Sequence, residues 1–98
     1  MLFLINWQCT DQSEDAVKRR LELIGHWDPP DGWETRGSYA LVDGSGGTTI
    51  LEAESADTVA RGLTNLLPYF EFDVTPVLEL GEWRSITHTG IAFRDSVT

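Results

Sequence analysis

Residues 38–67 read SYALVDGSGGTTILEAESADTVARGLTNLL, and the order of elements they encode decides the fold. Residues 38–42 and 48–53 are two short runs rich in β-formers, and between them lies Asp43-Gly44-Ser45-Gly46-Gly47, the turn chemistry of a β-hairpin with a slightly long loop. Ser55 then offers an N-cap, and Ala56, Val59, Ala60, Leu63, Leu66 and Leu67 trace an apolar stripe at helical spacing before Pro68. The centre of the chain is therefore strand, strand, helix.

Working outward from this unit, each side adds what is needed to complete a sheet. Upstream, residues 2–7 (LFLINW) form an apolar run without a breaker, as in a central strand buried on both faces. Residues 10–13 (TDQS) supply capping side chains, Glu14 reaches back toward Asp11, and Gly25 marks a stop, so a first helix lies between. In it Val17, Leu21 and Ile24, with Ala16 and Leu23, fall on one side, while Lys18, Arg19 and Glu22 point away. Residues 26–36 (HWDPPDGWETR), with two prolines and a glycine, read as a structured loop.

Downstream, residues 70–80 alternate: Phe70, Phe72, Val74, Leu78 and Leu80 share one parity, and Glu71, Asp73, Thr75 and Glu79 the other. Pro76 makes this an edge strand, because its nitrogen cannot donate to a ladder. The whole reads β-α-β-β-α-β, an α+β domain with a four-stranded antiparallel sheet covered on one face by two helices. Residues 1–82 make this domain; residues 83–98, with Trp83, Ile86, Ile91 and Phe93, are too apolar for a free tail and are expected to dock on the domain or on a second subunit.

At 98 residues the chain fits one domain, whose small core leaves it marginally stable unless something covers more apolar surface. Its formal net charge of −9 would repel nucleic-acid phosphates and anionic lipid, so neither nucleic acid nor a membrane is an expected partner. Cys9 is the single cysteine, which excludes an intrachain disulfide and a Cys-rich zinc site. The start of the chain lacks a basic leader and the length of a signal segment or membrane span, so a cytoplasmic protein is expected.

The first strand ending in Asn6-Trp7, the Pro29-Pro30-Asp31-Gly32 loop, the Gly-rich hairpin and the phrase Phe72-Asp73-Val74-Thr75-Pro76-Val77-Leu78-Glu79 together resemble DUF3303, a small bacterial domain of unknown function. That family resembles the dimeric α/β-barrel, ferredoxin-like superfamily, and the resemblance extends over about residues 1–82. It implies a homodimer in which two sheets face each other, with a cleft between sheet and helices or inside the barrel. It implies no reaction, because relatives in the wider superfamily include cofactor-independent monooxygenases, isomerases and proteins without activity.

Candidate chemistry is thin. His26, with Trp27, Trp33 and Arg36 near it in sequence, is the richest polar and aromatic cluster and would line a ligand pocket, with His26 as the one candidate acid or base. The same residues equally read as two tryptophans plugging the end of the core and a histidine at a helix C-terminus. Asn6, Trp7 and Tyr39 could orient a planar aromatic molecule, or be a strand terminator and core. Glu71, Asp73 and Glu79 read as general-base candidates or as the charged residues that guard an edge strand. No pair among Cys9, His26 and His88 has a metal-ligand spacing, and no cofactor is expected. The leading expectation is a homodimeric binding or accessory protein. The alternatives are a cofactor-independent enzyme acting on a small aromatic or lactone-like molecule, and an acidic module that binds a basic protein.

Overall fold

The computed structural model describes residues 1–97. Its elements run β1 (Leu2–Cys9), α1 (Glu14–His26), β2 (Trp33–Ala40), β3 (Gly46–Ala53), α2 (Ala56–Thr64), β4 (Phe70–Val77) and α3 (Leu80–Ser96). The four strands form one antiparallel sheet in the order β2-β3-β1-β4, so β1 is central and β4 is an edge, as Pro76 requires.

Register divides the strand residues between two faces, because directly opposed residues of an antiparallel pair share a side. Phe3 opposes Leu51 and Pro76, Ile5 opposes Thr49 and Val74, and Trp7 opposes Gly47 and Phe72, all on the face that carries α1 and α2. The core there is Phe3, Ile5, Leu51, Ala53, Val59 and Leu63, with Trp33 and Phe72 packed against it. Leu2, Leu4, Asn6, Ile50 and Asp73 point to the other face, which no helix among the described residues covers. β1 is thus buried on one face only: Leu2 and Leu4 are half-buried and Asn6 is exposed, which corrects the reading of a strand buried on both sides.

Three further boundaries differ from the sequence reading, each for a tertiary reason. β2 begins at Trp33, inside the expected loop, because Trp33 pairs with Ala53; a bulge between Thr35 and Gly37 takes up the offset. Leu41 and Val42, expected in the strand, belong to the turn, where Leu41 donates to the Gly46 carbonyl at 2.7 Å and Gly44 to the Leu41 carbonyl at 2.9 Å. β4 ends at Val77, and residues 80–96 form a helix where only a docked extension was expected.

The helices also turn differently from their sequence stripes. α1, capped by the Ser13 hydroxyl, directs Ala16, Arg20 and Leu23 toward the body, as does Trp27 just past its end, while Val17, Leu21 and Ile24 lie toward solvent, Leu21 67% exposed. The Arg20 side chain is 5% exposed, so the basic cluster at 18–20 is not wholly a solvated face. α2 buries Thr58, Val59, Gly62 and Leu63, whereas Ala56 and Ala60 are exposed. Ser55 starts the helix, its hydroxyl accepting from Thr58 N–H at 3.2 Å. The molecule is elongated, 64 × 30 × 19 Å, with a radius of gyration of 17.8 Å. A compact chain of this length would have about 13 Å. The excess comes from α3, none of whose described residues is buried.

Candidate functional site

The helix-covered face of the sheet does not close. Between it and the two helices lies an apolar cleft of about 320 Å³, walled by Trp7, Ile24, Trp27, Trp33, Leu66, Phe70 and Phe72, with the hydroxyl groups of Ser38 and Thr49 at its floor. A second cavity of about 490 Å³ continues along α1 past Val17, Arg20 and Leu21 to Cys9, Gln12 and Asp43. Trp7, Ile24 and Phe70 border both, so the two adjoin as neighbouring stretches of a groove along α1.

The tryptophans are held by glycines. A Cβ on Gly47 would collide with the Trp7 ring and the Tyr39 carbonyl, so only glycine lets that indole lie across β3. On α2, Gly62 plays the same part for Trp33, whose Cζ3 would stand 2.5 Å from an added Cβ. The Gly62 carbonyl in turn accepts from Trp27 Nε1 at 2.9 Å. Trp27 and Trp33 meet edge to face at 5.4 Å, and Trp33 Nε1 donates to Thr35 Oγ1 at 3.0 Å. On the other wall Trp7 meets Phe70 edge to face at 5.7 Å. Both wall pairs therefore have fixed geometry and satisfied N–H groups at Trp27 and Trp33.

Among the described residues Arg20 is the one cation in the groove wall. Its guanidinium donates to the Asp11 carbonyl and, at 2.7 Å, to Gln12 Oε1, and its Cζ lies 6.0 Å from the Phe70 ring centroid. These bonds tie the loop before α1 to the helix. At the same end the Asp43 carboxylate accepts from the Ser45 hydroxyl at 2.7 Å and from Ser45 N–H at 2.9 Å. Those bonds hold its carboxyl below the usual carboxylate range, the hydroxyl contributing most.

Of the seven binding residues read from the sequence, Trp7, Trp27 and Trp33 come together at the cleft. His26 ends α1 and is exposed outside the cleft lining. Arg36 is exposed on β2, its nearest carboxylate being Glu34 at 3.8 Å. Asn6 and Tyr39 lie on the opposite face in one cross-strand row, Tyr39–Thr48–Asn6–Asp73, where Thr48 Oγ1 donates to Asn6 Oδ1 at 2.7 Å. Asn6, Gln8, Glu71 and Asp73 border a shallow polar depression there. The sequence reading missed Arg20, Ile24, Leu66 and Phe70 as cleft residues. Phe70 carried a core signal through its parity, but nothing local marks Arg20 as buried. Among the described residues no group of three or more His, Cys, Asp or Glu side chains converges as metal ligands would.

Strand order and helix placement define a ferredoxin-like α+β domain with an open, tryptophan-walled groove. Residues 1–91 match the family described as Domain of unknown function (DUF3303), and the chain belongs to that family. No curated protein matches the chain. Among the described residues, no helix is long and apolar enough to cross a membrane.

Proposed function

We propose that the protein is a homodimeric binding or accessory module, with pairing of two copies as its basic property. One observation carries the reading. The 17-residue helix α3 stands away from the body and leaves Leu80, Trp83, Ile86, Ile91 and Phe93 in solvent, Trp83 55% and Phe93 69% exposed. A chain with so small a buried core gains from covering this surface, at roughly 25 cal/mol per Å² of apolar area removed from water. The open sheet face adds Leu2, Leu4, Ile50 and Val77 as a second apolar strip, the surface that would face a partner sheet in a barrel. The −9 charge supports a basic protein as a further partner of the pair.

A catalytic reading draws support from the cleft alone. Its histidine candidate would have to stand at the cleft wall, and the imidazole of His26 lies outside it. The test of pairing is the solution mass of the full chain by light scattering at micromolar concentration. A mass of twice 11.0 kDa is expected, and a monomer would sink the proposal.

A further inference from the structure

Two apolar surfaces of this chain lack a partner, and they match. The first is α3. At 100° per residue Leu80, Trp83, Ile86, Ile91 and Phe93 fall within an arc of roughly 160° along a helix about 25 Å long. The second is the groove beneath α1, with Val17, Leu21 and Ile24 as its rim and Trp7 and Phe70 as its floor.

From these surfaces we infer that α3 of one copy lies in the α1 groove of a second copy, and reciprocally, so that a two-fold pair exchanges its C-terminal helices. The inference rests on the pairing proposed above and assigns the surfaces that make it. Three observations select this occupant.

The first is direction. Only Leu78 and Glu79 separate β4 from α3, and the helix leaves the body lengthwise, which accounts for the 64 Å axis and carries its apolar arc away from its own groove. The second is charge. Glu82 and Asp95 balance Arg84 and Arg94, so α3 is neutral and the whole −9 resides on residues 1–79. Helix in groove therefore adds no net charge to the −9 body, and Arg94, within the apolar arc, has Asp43 at the groove end as a counter-charge, while Arg20 in the same wall already donates to the Asp11 carbonyl and Gln12 Oε1. The third is area. Five half-exposed or more exposed apolar side chains offer roughly 500 Å², and Val17, Leu21 and Ile24 on the groove rim add roughly 250 Å²; exchanged twice this is about 1,500 Å², within the range of stable specific interfaces.

The test uses full-length chains and solution mass. Leu21→Glu/Ile24→Glu alters the groove rim and Trp83→Ala/Phe93→Ala alters the helix, all at half-exposed or exposed positions, so folding is checked by circular dichroism. Each double variant is expected to be monomeric where the wild type is a dimer, with a dimer Kd raised by about a hundredfold. Mixing the two variants restores one intact helix–groove pair, and a heterodimer is expected. If the wild type is dimeric but the groove variant pairs as well as it does, or the mixture yields no heterodimer, the exchange is wrong while pairing stands. In that case the copies meet through α3 against α3 or through the open sheet faces. A monomeric wild type overturns both, and protection of α3 amides in that monomer, lost on altering the groove, would place α3 in its own groove.

Discussion

Two residues decide more of the groove than their neighbours do. Gly62 is pressed against Trp33 and Pro30. Gly62→Ala would therefore force the indole from its place, at a cost of about 1–3 kcal/mol and a fall in Tm on the order of 10 °C; thermal unfolding followed by tryptophan fluorescence reads both changes. Arg20 holds two acceptors of the preceding loop from inside the wall. Arg20→Met keeps an unbranched apolar stem but removes the guanidinium over Phe70 and strands the Asp11 carbonyl and the Gln12 amide oxygen. Urea unfolding should show a loss of about 1–3 kcal/mol, with little change in m-value. A residual stability equal to the wild type would mean that water satisfies those groups. Neither role was legible locally, because no neighbouring residue marks Gly62 as a close approach or Arg20 as a buried cation.

At the scale of elements, the β2–β3 turn and α3 behave as units with different supports. The turn is held by Asp43 bonded to Ser45, and its carboxyl is lowered in the folded state. A lowered folded pKa gives stabilisation that is present above the unfolded value of about 3.9 and lost as pH falls through the folded value. Ser45→Ala should therefore move the Asp43 titration upward, read by carboxyl carbon NMR, and loosen the turn. An unshifted titration would show that the Ser45 backbone N–H alone sustains the effect. α3 has no such anchor. Glu79 at its N-cap makes no side-chain capping bond, and 17 residues with Gly81, Gly90 and β-branched positions are marginal as an isolated helix. Its amides should exchange quickly in dilute monomer and slowly at concentrations where copies pair, whereas α2 amides should be protected in both. Equal protection of α3 at all concentrations would point to docking within one chain.

For the whole molecule, shape and mass together are the measurement. A single open chain has a radius of gyration of 17.8 Å over its Cα atoms. Two copies with their helices folded into each other should scatter with twice the mass and a radius of about 16 Å. A dimer with projecting helices would be well above the single-chain value. The same elongation explains why residues 80–96 were hard to read from the sequence. Their spacing of Leu80, Trp83, Ile86 and Phe93 carries a helical period, but two glycines and scattered threonines mask it, and none of the described residues of α3 is buried.

What the residues determined by themselves was the order of elements: the β1 run, the Gly-rich turn, the Ser55 cap and the strict alternation of β4 are local signals of hydrogen bonding and period, and each became the expected element. The tertiary structure alone decided which faces those elements show. Pairing of Trp33 with Ala53 drew β2 out of an apparent loop, and Arg20 took the inner position on α1 in place of the apolar stripe. Three tryptophans distant in sequence converged on a groove because Gly47 and Gly62 left room for two of them and the Gly62 carbonyl bonded the third. The physical reason is that secondary structure follows from interactions within a few residues, whereas burial is settled by competition among all surfaces for the same sheet face.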